Sequence, residues 1–130
     1  MNDPTTTLGS AAALLTDEQR ARMLKNGRAN AERIEDDGDT HNFWPVVKLF
    51  CPWGAATWLL SEIDPEDEDI AFGLCDLGFG CPELGSVRLS ELAAIRGPGG
   101  LTIERDQHFK PTKSLTAYAE EAREHGCIRA

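Results

Sequence analysis

The segment DIAFGLCDL, residues 69–77, is apolar on both of its alternating sets. Ile70, Phe72 and Leu74 form one set; Ala71, Cys75 and Leu77 form the other. Side chains of a strand alternate between two faces, so this strand needs cover on both. It must lie inside a sheet with other elements packed on each side. Its neighbours supply that sheet. FWPVVKLFC (43–51), ATWLLSEI (56–63) and ELGSVRLS (83–90) are rich in β-branched and aromatic residues and read as further strands. The connectors are short and carry Gly, Pro and Asp, which favours hairpins over helical crossovers. Gly78 and Gly80 flank Phe79 where the chain must turn back, and glycine supplies the positive φ that tight turns need.

Helices bracket these strands. Thr16 is the expected N-cap of the first, with Gln19 as its capping-box partner and Asp17 and Glu18 at the positive helix end. Met23, Leu24, Gly27, Ala31 and Ile34 make a thin stripe, suited to covering a sheet, and the helix should end near Asp36 and stop at Gly38. Ser90 is expected to cap a short helix from Glu91 to Arg96, followed by GPGG and one more strand over 101–105. SLTAYAEEAREHG closes the chain as a helix capped by Ser114 or Thr116, with Leu115, Tyr118, Ala119 and Ala122 on one face and Gly126 past its end. The expected fold is α+β: an antiparallel β-meander of four to five strands with an N-terminal, a short and a C-terminal helix packed on it. At 130 residues there is room for one domain, 14–130, behind a loose tail, 1–13.

Charge is unevenly spread. From Glu32 to Asp69 there are 11 acids against Arg33 and Lys48, which gives −9; the remaining 11 acids and 11 bases cancel. The entire formal charge of −9 therefore sits in one segment. Direct binding to a phosphate backbone is not expected of such a chain, whereas a basic protein partner is. The acids placed to meet it are Asp36, Asp37 and Asp39, and Asp64, Glu66, Asp67, Glu68 and Asp69. The alternative reading of EIDPEDEDI is a solvated hairpin tip that keeps a sheet edge soluble. A calcium loop is not expected there, because Pro65 interrupts the run and the turn glycine is missing. The start of the chain has no basic residue and only a brief apolar run, Ala11 to Leu15, so no secretory signal is read; 43–60 is too interrupted to span a bilayer. The expected location is the cytosol, with free thiols at Cys51, Cys75, Cys81 and Cys127.

Residue spacing limits other chemistry. Cys75 and Cys81 have five residues between them, and Cys51 and Cys127 have no close cysteine, so neither zinc nor a CxxC redox pair is expected, and no cofactor is implied. The best acid–base set is Asp76, Glu83, Arg105, Asp106 and His108; as an enzyme site it requires these five to meet in one cleft. A third possibility is a structural interaction module, which requires an exposed apolar patch, with Trp44 or Trp53 as its anchor. Trp58, alternating with Leu60, belongs in the core.

The runs LLTDEQRARMLKNGRAN, FWPVVKLF, TWLLSEIDPEDEDIAFGLCDLGFGCPELGSVRLSEL and ERDQHFKPTKSL, with the terminal AYAEEAR helix, resemble an uncharacterised bacterial family, domain-of-unknown-function family 2958. The likeness covers about residues 14–126, and FGLCDLGFGCPELG is its most distinctive part. The family carries no established activity to transfer. Its members are often encoded on plasmids and other mobile elements, sometimes beside antirestriction genes, which implies an accessory role in transfer or in evading host defence. The resemblance does not call for cysteine at Cys51 or Cys81. Combined with the charge distribution, the expected function is a non-enzymatic accessory protein that binds a basic partner through its acidic surface. An antirestriction or anti-CRISPR type of inhibitor is the concrete version.

Overall fold

The computed structural model describes residues 14–36 and 38–130; the expected tail, 1–13, and Asp37 lie outside them. Helix α1 spans Asp17–Glu35, strands β1 to β4 span Val47–Phe50, Thr57–Asp64, Asp67–Asp76 and Glu83–Arg88, helix α2 spans Leu89–Ala94, β5 is Glu104–Arg105, and helix α3 is Leu115–His125. The five strands form one antiparallel sheet in the order β4-β3-β2-β1-β5. The fold is α+β, as the strand alternation requires. After β4 the chain crosses the sheet through α2 and a 3-10 turn at Pro98–Gly100 to pair β5 with β1 at the far edge.

β3 lies between β2 and β4 and is covered on both faces. One cluster joins Val47, Leu49, Trp58, Leu60, Ile63 and Ala71 to Met23 of α1 and to Leu89 and Leu92 of α2. The other joins Leu59 and Leu74 to Leu115, Tyr118, Ala119 and Ala122 of α3, the four positions expected to face inward. Ser114 provides the α3 cap, its hydroxyl accepting from the Ala117 amide, and Gly126 ends the helix at φ 73°. Tyr118 anchors the helix start: its hydroxyl accepts from the Thr112 amide at 3.0 Å, and Lys113 Nζ sits 5.0 Å from its ring centre.

β1 is shorter than the sequence suggests. Pro45 has no N–H to give a ladder, and the preceding residues serve α3 instead. The Phe43 carbonyl accepts from the Leu115 amide, and Asn42 Nδ2 donates to Thr116. β1 consequently pairs only with Thr57–Leu60, leaving Ser61–Asp64 of β2 without a strand on that side. Helix α1 lies against this open edge. Its Asn26 Nδ2 donates to the Ser61 carbonyl at 2.9 Å. A Cβ on Gly27 would stand 1.8 Å from the Ile63 carbonyl oxygen, so only glycine permits this approach. The capping box at Thr16 and Gln19 is present as expected. The expected stripe holds at Met23 and Gly27, which are buried, and at Leu24 and Ala31, which are half-buried; it fails at Ile34, which is 64% exposed, while polar Asn30 is buried.

Two details at the sheet's acidic end depart from sequence expectation. Leu60 faces Gly73 and Glu62 faces Phe72, so Ser61 is an extra residue, a β-bulge. Gly73 is fitted to it, since a Cβ there would meet the Leu59 carbonyl oxygen at 2.0 Å. Further on, α2 begins at Leu89, and Ser90 does not cap it. Asp69 does so from β3, accepting from the Ser90 amide at 2.9 Å and from its hydroxyl at 2.6 Å. A cap from a neighbouring strand leaves no local sequence signal.

Candidate functional site

The five residues of the acid–base set do not meet. Glu83 is on β4 and Arg105 on β5, the two opposite edges of the sheet. Four inter-strand steps of about 4.8 Å separate those edges, roughly 19 Å. Asp76, at the end of β3, is 2% exposed, and both carboxylate oxygens are engaged. Oδ1 accepts from the Gly78 amide at 2.8 Å and Oδ2 from the Ile128 amide at 3.0 Å. It ties the 77–82 loop to the C-terminal segment. Asp106 accepts from the His108 amide at 2.9 Å and lies 3.5 Å from Lys48 Nζ. The His108 amide bond, reinforced by the Lys48 charge, holds the Asp106 carboxyl below its ordinary value. His108 itself is exposed.

The loop that turns β3 into β4 has the glycine conformations expected, with Gly78 at φ 87° and Gly80 at φ 83°. Its apolar side chains face outward: Phe79 is 83% exposed and Leu77 57%. This is a larger apolar display than the tryptophans make. Trp58 is buried, Trp53 packs over Gly97, where a Cβ would lie 2.4 Å from the indole, and Trp44 is 53% exposed. All four cysteines are free thiols. Cys81 and Cys127 are exposed, and burial pushes the half-buried Cys75 thiol up to about 11. Among the described residues no group of three or more His, Cys, Asp and Glu is placed to hold a metal ion.

The acidic stretches divide into two kinds. Asp67 and Asp69 are taken up within the fold: both contact Arg88, at 3.3 and 3.4 Å, and Asp69 also holds Ser90. Although partial burial opposes it, the bonds from Ser90 and Arg88 leave the Asp69 carboxyl below its ordinary value. Asp36, Asp39, Asp64, Glu66 and Glu68 are exposed. Asp64 shapes the β2–β3 turn by accepting from the Glu66 amide at 2.8 Å.

Between the end of α1 and that turn lies a cavity of about 240 Å³. Ile34, Ile63, Ile70 and Phe72 supply apolar walls, and Glu62 and Asp64 supply carboxylates. The sequence marks Glu62 only as the first acid of the EIDPEDEDI run, not as one of the acids placed to meet a partner. The bulge at Ser61 sets it opposite Phe72, and Asn30 of α1 donates to its Oε2. Asn30 is itself buried and held by the His41 backbone, whose amide donates to Asn30 Oδ1 at 2.6 Å. Burial raises the Glu62 carboxyl above its ordinary value, against the smaller opposing effect of the Asn30 bond. A carboxyl held near apolar walls and away from water favours a cationic neighbour.

Among the described residues no helix is long and apolar enough to cross a membrane. No curated protein and no solved structure matches the chain. The family profile described as "Protein of unknown function (DUF2958)" matches residues 14–129, nearly the whole chain, and the protein therefore belongs to that family.

Proposed function

We propose that this chain is a non-enzymatic binding protein that docks a basic protein segment on the acidic end of its sheet. The observation that carries the reading is the meeting of two acidic stretches far apart in sequence. Ile34, two residues before Asp36, and Glu62 and Asp64, which open the second stretch, line one cavity, and Asp36, Asp39, Glu66 and Glu68 are exposed. Concentrated charge of one sign speeds encounter with a partner of opposite sign and sets its orientation. The accessory role on mobile elements implied by the family resemblance gives this reading its concrete form. The target would be a basic, nucleic-acid-handling protein of host defence, in the reducing cytosol.

The test compares wild type with a variant carrying Asp36→Lys, Asp39→Lys, Glu66→Lys and Glu68→Lys, none of which takes part in the Arg88 or Ser90 contacts. Both tagged proteins are used to capture partners from bacterial lysate at about 50 mM and 500 mM salt, spanning Debye lengths from above 10 Å to below 5 Å. A partner held at low salt by wild type, and lost by the variant while its melting temperature is no lower than that of wild type, is the expected result. Equal capture by both proteins would sink the acidic-surface reading. A second reading, docking through apolar surface, is favoured by the exposure of Phe79 and Leu77. It predicts a partner that survives high salt and is lost on Phe79→Ser.

A further inference from the structure

The cavity between α1 and the β2–β3 turn has a chemistry more specific than acidity. Its volume, about 240 Å³, is below the range of roughly 300–1,000 Å³ typical of sites for whole small molecules, and suits a single side chain. Its walls are aliphatic and aromatic, from Ile34, Ile63, Ile70 and Phe72, with Glu62 and Asp64 at the same cavity. We propose that it receives one arginine side chain presented by the basic partner. The proposal rests on the acidic-surface reading and deepens it.

Arginine matches each component of the cavity. Its methylene stem covers apolar surface while the head stays polar. Its planar guanidinium stacks on aromatic faces such as Phe72 and presents several donors in a rigid fork that can engage a carboxylate. Asn30 already donates to Oε2 of Glu62, so the incoming fork would share that carboxylate and reach Asp64. A guanidinium there would also offset the burial that disfavours the Glu62 anion. Lysine is a poorer match, being a strongly hydrated point charge without the stacking plane. The exposed Asp36, Asp39, Glu66 and Glu68, none of which lines the cavity, would draw in the rest of a basic segment.

The proposal is tested by nuclear magnetic resonance titration of the full chain with three blocked tripeptides, glycine-X-glycine, where X is arginine, citrulline or norleucine. Citrulline keeps the shape of arginine and removes the charge. Norleucine keeps only an aliphatic stem. The arginine peptide is expected to shift the amides of Ile63, Ile70 and Phe72, with citrulline at least about tenfold weaker, the usual range for a hydrogen bond to a charged group. Glu62→Gln, which retains the acceptor for Asn30, should weaken the arginine peptide to a similar degree with the fold retained, its melting temperature no lower than that of wild type. Equal response to arginine and citrulline, or no effect of Glu62→Gln, would overturn the proposal. An equal response to norleucine would overturn it too, by making the cavity an apolar anchor. A nona-arginine peptide separates this failure from failure of the underlying reading. If it binds wild type and Glu62→Gln alike but not the fourfold lysine variant, the acidic surface stands and the arginine pocket falls. If it does not bind wild type, both fall.

Discussion

Glu62 shows how one residue's environment can escape sequence reading. In LLSEI, strict alternation puts Glu62 on the same face as Leu60 and Trp58, which is a core face. A single extra residue at Ser61 changes that and sets Glu62 opposite Phe72. No local signal marks the bulge; its partner glycine, Gly73, lies on the next strand. By contrast, Asp76 is legible in the sequence only as a member of the acid–base set, and its role is structural, because two backbone amides occupy its oxygens. The raised Glu62 carboxyl has a consequence for stability. Below its ordinary value of 4.5, folded and unfolded chains both carry the proton and no difference arises. As pH rises above that value the unfolded chain loses its proton first. The native state then holds more protons than the unfolded state, and stability falls until the raised folded value is passed. Glu62→Gln removes this contribution. Urea unfolding of both proteins from pH 4 to pH 7.5 should show the variant gaining on wild type as pH rises, by a margin that solvent screening of the half-buried carboxyl keeps small. A difference that is flat with pH, or that shrinks, contradicts the assignment.

At the scale of elements, local signals were legible and long-range ones were not. The Thr16 capping box, the Gly78 and Gly80 turn and the inward face of α3 each depend on residues within a turn of one another, and each stands as read. The α2 cap from Asp69, the shortened β1 and the docking of α1 on the β2 edge depend on residues tens of positions apart. Helix α1 illustrates the difference. By propensity alone, glycine inside a helix costs about 1 kcal/mol relative to alanine, so Gly27→Ala should stabilise. The structure reverses the sign. The added methyl would fall 1.8 Å from the Ile63 carbonyl oxygen, which is backbone and cannot swing aside. Relief requires α1 to move off the β2 edge, straining the Asn26–Ser61 and Asn30–Glu62 bonds. Overpacking of this kind costs about 1–3 kcal/mol, enough to exceed the propensity gain. Gly27→Ala should therefore lower the urea midpoint. Gly85→Ala, whose Cβ would meet nothing within 4 Å, serves as the control and should leave it unchanged or raised. If both variants respond alike, the close approach of helix and strand is not what glycine serves at position 27.

Across the whole molecule, the chain folds its net charge toward one end. The window from Glu32 to Asp69 carries all of the formal −9, and contact between α1 and β2 draws its two halves together. Among the described residues only part of that charge is compensated. Arg88 serves Asp67 and Asp69, and Arg33 Nε donates to the Asp39 carbonyl rather than to a carboxylate. Like charges gathered this way oppose the compact state. Two effects of added salt then compete. Screening weakens the Arg88 bridges, but those side chains are more than a quarter exposed, and exposed pairs contribute little. Screening also relieves repulsion among the uncompensated acids of the 32–69 window, where like-charge neighbours each cost a few tenths of a kcal/mol. The second effect should prevail. Raising potassium chloride from about 20 mM to 300 mM shrinks the Debye length from above 20 Å to below 6 Å and should raise the urea midpoint. The fourfold lysine variant, in which the repulsion is already broken, should respond less. A wild-type midpoint that falls with salt would mean the acidic end is internally neutralised. It would then have no excess charge to offer a basic partner, and the apolar loop at Phe79 would become the surface to pursue.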